Sequence, residues 1–232
     1  MVSANGVSEK TAGPLAERAR PVGARFPADA FVQRTMAEIE YDAKNYDAAD
    51  AAADRALAAD PNNIMATVYK GRVAAQRAIK SKDLNQWKEA RRWFLKANSL
   101  NPDYALPFQL YYDSYVAAGV IPPAGAVTGI NRAVYLVPTD YSLRLRAAIA
   151  SLRAGDIKTA RFTLAPFAFN PHGAGADSPV AKLVKEIDKG SDKDTIMKKL
   201  TELKLDKVNE FTDPETDEDG KDDAKKDDKA KS

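Results

Sequence analysis

The sequence predicts an all-α protein, an array of helical hairpins capped by helices at both ends and followed by a disordered, charged tail. Three observations predict it. Pro27, Pro61, Pro102, Pro138 and Pro171 recur at intervals of 34, 41, 36 and 33 residues, the length of a unit built from two antiparallel helices. Residues at fixed distances upstream recur as well: Leu15, Ala49, Ala90, Ala126 and Thr159 lie twelve before each proline, and Ala19, Ala53, Phe94, Ile130 and Thr163 lie eight before. Five before lie Val22, Ala56, Ala97, Ala133 and Pro166. A small residue lets two helices approach, and a larger one a turn later fills the gap to the next pair. Finally, apolar residues make up 44% of the chain with alanine prominent among them, which favours closely packed helices over β-branched strands.

The elements follow in order. Residues 1–29 hold one helix, Ser8 to Arg20, which matches only the second half of a unit and is expected to be either a cap of the array or a half-repeat. The array occupies residues 30–172. Its first unit, Ala30 to Asn63, keeps the pattern best, with Tyr46, Ala49, Ala53, Ala56, Leu57 and Pro61 in phase and Lys44 and Asn45 at the turn. The second, Ile64 to Asp103, carries seven additional residues between Gly71 and Ala90. Seven residues are about two helical turns, so the hairpin lengthens without losing register, and its tip, SKDLN, stands proud. The third, Tyr104 to Pro138, contains the loop GVIPPAG, where Pro122 and Pro123 forbid helix. Tyr112 there replaces a small residue, and its ring must push the helices apart or turn outward. In the fourth, Thr139 to Pro171, Asp140 caps the first helix, Gly155 and Asp156 make the turn, and Pro166 cuts the second helix short.

Residues 173–211 form a C-terminal cap. Ser178 and Pro179 open a helix to Lys189, and a second helix from Asp192 to Leu205 aligns Ile196, Leu200 and Leu203 on one face. Residues 212–232 have no apolar side chain beyond two alanines and are expected to be disordered.

The Ala/Phe/Pro rhythm from Ala30 to Pro171 resembles the tetratricopeptide repeat (TPR), in about four divergent copies. The resemblance implies a right-handed solenoid whose first helices line a concave groove, and a non-catalytic scaffold that binds a protein or peptide there. The groove positions it implies are Phe31, Arg34, Glu38 and Tyr41 in the first unit and Met65, Val68 and Arg72 in the second. Gln109 and Asp113 follow in the third, and Leu145 and Arg153 in the fourth. Arg34 and Arg72 would orient acidic groups of the partner. One subgroup of the family grips chaperone carboxylates with Lys and Asn on successive first helices, but here Arg34 and Glu38 hold those places, and Glu38 repels a carboxylate. Repeats followed by a charged tail are also similar to the C-terminal halves of bacterial exported peptidase-like proteins. That gives a second reading, an accessory half that positions substrate for another domain. A third is a homo-oligomeric module joined through the long hairpin, although a monomer is favoured.

Other classes of function find little support. The net charge is +2, and the last 21 residues hold nine acidic against five lysine side chains, so the preceding 211 carry +6. That excess is spread along the chain, and no nucleic-acid partner is expected. The absence of cysteine removes thiol chemistry. His172, the only histidine, has no nearby serine or carboxylate cluster, and Glu38 and Glu40 lie two apart on a helix and so on different faces. No phosphate loop or zinc motif is present, so no catalytic residue, metal or cofactor is expected. Phe108, Tyr111, Tyr112 and Tyr115 have helical spacing and read as core, as do Trp87 and Phe94, with Trp93 on an outer face. No run approaches the roughly 18 apolar residues of a membrane span, and the opening residues hold no apolar core of the length a signal peptide requires. The sequence therefore reads as cytoplasmic as written, or as periplasmic if it is a fragment of an exported precursor.

Overall fold

A computed structural model describes residues 9–169 and 177–211. Among these residues there are eleven α-helices and no strand. They are α1 (Glu9–Arg25), α2 (Ala30–Asp42), α3 (Tyr46–Ala59), α4 (Ile64–Ser81), α5 (Leu84–Leu100) and α6 (Ala105–Ala117). There follow α7 (Ala124–Leu136), α8 (Tyr141–Arg153), α9 (Ile157–Ala168), α10 (Pro179–Asp188) and α11 (Lys193–Glu202), and one 3-10 turn, Leu205–Lys207. Consecutive helices pack on one another: α2 with α3, α4 with α5, α6 with α7 and α8 with α9 form four hairpins. His172 and the tail from Thr212 lie outside the described residues.

The repeating prolines have a local cause. Two residues after Pro27, Pro61 and Pro138 stand Asp29, Asn63 and Asp140, and each side chain accepts a hydrogen bond from a first-turn backbone N–H of the following helix. Proline ends one helix because it cannot donate to the preceding turn, and the cap begins the next. Inside each hairpin the chain reverses through a left-handed residue: Lys44, Lys82, Gly119 or Gly155.

Packing compartments follow one another along the array, each shared by neighbouring hairpins, as expected of a quasi-linear repeat. Met36, Ala37, Ala52, Ala53 and Tyr69 make the first, and Trp87, Phe94, Leu110 and their alanine neighbours the second. Tyr112 and Ile130 centre the third, whereas Leu145, Leu152, Leu164, Leu183 and Ile196 join the last hairpin to the cap helices. In the second unit Gly71 is required by contact, because a Cβ there would lie 2.4 Å from Cε1 of Phe94.

The structure differs from the sequence expectations in four places. Helix α1 runs to Arg25 rather than Arg20, through Pro14 and Pro21. Both prolines lie on its exposed face, while Ala12, Ala16 and Gly23 are buried at helical spacing and hold the helix against α2. The second hairpin is lengthened as expected, α4 and α5 having 18 and 17 residues against 13 and 14 in α2 and α3. Its tip, however, is only Lys82 and Asp83. Tyr112 does not turn outward: its ring is buried beside Ala126, Ala133, Ala147 and Ala150, small residues that leave room for it. Pro166 does not end α9, which continues to Ala168. A proline in the last turn removes a single backbone bond, and burial of Leu164 and Ala168, with Phe167 edge-on to Tyr141 at 5.1 Å, holds the turn in place.

Candidate functional site

The first helices α2, α4, α6 and α8 form one wall of the array. α2 touches α4 and α4 touches α6, and Arg146 of α8 reaches Asp113 of α6 with Nε 2.8 Å and 3.0 Å from its two carboxylate oxygens. Both residues are almost completely buried. Burial pushes the Asp113 carboxyl above the usual range, against the opposing pull of Arg146. A buried pair of this kind is retained only when its remaining lone pairs are satisfied. Here a distant part of the chain supplies further donors to Asp113, while Nη1 of Arg146 stays buried without a hydrogen-bond partner.

After the 3-10 turn the chain runs back along the wall as Val208, Asn209, Glu210 and Phe211. The Glu210 backbone N–H donates to Asp113 Oδ2 at 3.0 Å, and Asn209 Nδ2 donates to the Asp113 carbonyl at 3.0 Å. Arg72 Nη2 donates to the Glu210 carboxylate at 2.7 Å. The Arg72 guanidinium also lies 5.6 Å from the ring centre of Tyr41 and 5.5 Å from that of Tyr69. Burial works against the charge on Arg72, but Glu210 and the nearby Tyr41, Tyr69 and Asp42 oxygens outweigh it and raise its pKa. Burial likewise pushes the Tyr41 phenol up to about 12. Beyond this charged contact, Phe211 is edge-on to Trp87 at 5.6 Å and stacked on Phe94 at 6.1 Å. It completes the second packing compartment with Val68 and Leu110.

The residues expected to line a groove therefore divide into three groups. Tyr41, Arg72 and Asp113 gather around the returning segment, with Val68 beneath it in the core. Leu145 is buried under the cap helices, and Arg153 is exposed at the end of α8, its carbonyl accepting from Lys193 Nζ of α11 at 2.7 Å. Phe31, Arg34, Glu38, Met65 and Gln109 remain at least partly accessible. Phe31 is 67% exposed, with the Arg34 guanidinium 4.8 Å above its ring and Arg34 paired to Glu38 at 3.3 Å. Met65 Sδ accepts from the Tyr104 hydroxyl at 3.3 Å.

Sequence reasoning missed Arg146, Asn209, Glu210 and Phe211. A signal existed for two of them. Arg146 is a cation flanked by Leu145 and Ala147 in a mostly apolar helix, and Phe211 is the only Phe, Tyr or Trp after Phe169. Two surface depressions lie away from the wall, one around Arg20, Met36, Glu40 and Arg55 and one around Lys44, Gln76 and Arg77. The first contains a satisfied structural network, in which Glu40 accepts from Arg20 at 2.8 Å and 3.0 Å and from Asn45 at 2.8 Å. Among the described residues no group of three or more His, Cys, Asp or Glu side chains is placed to hold a metal ion, and no helix is long and apolar enough to cross a membrane.

Comparison with solved structures bears on the architecture. YrrB, described as a TPR protein with an unusual peptide-binding site, superposes with a TM-score of 0.59 at 20% identity, over 83% of this chain and 95% of that one. The hairpins have a TPR-like fold. A second TPR protein, TTC0263 of Thermus thermophilus, gives a TM-score of 0.55 at 15% identity, over 77% of this chain and 98% of that one. A double mutant of MamA from RS-1 gives 0.50 at 18% identity, over 79% and 97%. No protein-family model and no curated protein matches the chain. This TPR-like array departs from even repetition in its long second hairpin and in the segment that returns across α4 and α6.

Proposed function

We propose that the chain is a non-catalytic scaffold that binds a non-helical segment of a partner protein along the wall of its first helices. The observation that carries this reading is that the wall already holds a non-helical stretch of polypeptide: residues 208–211 lie across it, engaged through backbone, charge and ring contacts. Peptide recognition commonly combines these three kinds of contact, the backbone giving affinity and the side-chain pockets specificity. Next to the occupied part, the α2 end offers Phe31 and Arg34, an exposed ring under a guanidinium, which suits an apolar residue flanked by an acidic one. The peptide-binding site named for YrrB agrees in kind with this reading.

Site-specific photocrosslinking in the native cell tests it. A photoreactive residue at Phe31 or Met65 should capture the same partner, and one at Leu95, exposed on a second helix, should not. Capture of the same protein from Leu95, or from none of the three positions, would remove the wall as the binding surface.

A further inference from the structure

Resting on the scaffold reading above, we infer that the site between α4, α5 and α6 takes a partner segment in which a carboxylate residue is followed directly by an aromatic one, and that the chain's own Glu210 and Phe211 compete for it. The contacts define the ligand. Asn209 Oδ1 accepts from the Phe211 N–H at 2.8 Å, and in the turn so formed the Glu210 carboxylate reaches Arg72 while the Phe211 ring lies against Trp87 and Phe94. Asp113 accepts the backbone N–H of the acidic residue, which fixes the register of the pair. The Arg72 guanidinium is held over two tyrosine rings, and the arginine is 7% exposed.

A second observation indicates that the resident segment can be displaced. Glu210 engages only Nη2 of Arg72, and Nε of the same guanidinium is buried without a hydrogen-bond partner. A carboxylate that met Nε and Nη2 together would form the two-pronged contact for which the guanidinium fork is suited. The chain's own residue leaves that contact half made. An incoming segment with freedom to align both oxygens has an advantage that the tethered one lacks.

The test uses a fluorescent peptide spanning residues 205–211 with an amidated C-terminus, titrated into the full-length chain and its variants. The peptide should bind E210A/F211A at least about ten-fold more tightly than the unaltered chain, because the apparent affinity of an occupied site falls with the fraction that is open. Adding R72A to the opened chain should weaken binding by about ten-fold or more, the signature of a lost buried charge partner. Phe211 is part of a packed compartment, so E210Q is measured in parallel. It removes only the charge, should leave the helical circular dichroism unchanged, and should raise peptide affinity by a smaller factor. Equal affinity for the unaltered and opened chains, binding indifferent to R72A, or no binding to a folded E210Q chain would overturn the inference. A dimer that becomes monomeric in E210A/F211A would also overturn it, since a second copy would then be the occupant. Peptide failure with continued crosslinking from Phe31 would sink this ligand assignment and leave the scaffold reading intact.

Discussion

The first two hairpins carry equivalent positions on the wall and treat them in opposite ways. Shifted by the 34 residues that separate Pro27 from Pro61, Phe31, Arg34 and Glu38 of α2 become Met65, Val68 and Arg72 of α4. The α2 set is open, with Phe31 largely exposed and Arg34 paired to its own helix. In the α4 set Val68 is fully buried, and Arg72 pairs with a residue 138 positions further along the chain. Beneath them the contrast continues. Ala37 meets Ala53 in the first hairpin, whereas at the equivalent places of the second Gly71 meets Phe94. The short hairpin closes on small residues, with α1 packed against it. The long one carries large rings, and Phe211 covers them.

The largest expected effect comes from breaking the covered wall. D113A leaves Arg146 buried without its partner and frees the Glu210 amide, and should cost about 3–5 kcal/mol in urea unfolding. D113L/R146M, which removes both charges, should be far less damaging if the burial of one unpaired ion is the cause; equal loss in both would refute that account. Next is G71A, which forces the Phe94 ring to shift and should destabilise by about 1–3 kcal/mol. Shortening the ring in G71A/F94L should restore part of the loss, as Ala37 opposite Ala53 already shows to be workable packing.

A smaller effect separates the two ends of the array. Hydrogen bonds from Arg20, then partly opposed by burial, hold the Glu40 carboxyl below its ordinary value of 4.5. A carboxyl lowered by folding contributes stability that is present above the unfolded value and is lost as pH falls through the folded one. The docking of α1 on α2 should therefore weaken below pH 4.5. E40Q should be less stable at neutral pH and lose less on acidification; thermal melts with identical pH slopes for both chains would contradict this. Smallest of all, F31A on the open wall should change stability by no more than about 0.5 kcal/mol, and a larger shift in its melting curve would mean that Phe31 is a packing residue.

Much of the fold was legible because its determinants are local. The N-caps Asp140 and Ser178, the turns at Lys44 and Gly155, and the extra length of the second hairpin depend on neighbours in sequence, and each lies where the pattern put it. Pro166 misled for a related reason, and α1, likewise expected to end short of Pro21, runs through it. A proline costs a helix one bond locally, and whether packing offsets that loss depends on residues elsewhere, here Met36 beneath Gly23 and Tyr141 beside Phe167.

The sequence by itself determined the hairpins and their order, since helical periodicity, caps and breakers act over a few residues. It also placed Arg72 and Asp113 on the inner wall. Only the tertiary structure decided that these two would be buried and engaged, while Phe31 stayed open. The pairing of Arg72 with Glu210 spans 138 residues, and no spacing rule reaches that far. The lone aromatic in VNEF has nothing periodic about it, and it becomes structural only when the cap helices carry it back to Trp87 and Phe94. Removing that ring from water supplies the free energy, and the length of α4 and α5 supplies the surface that receives it.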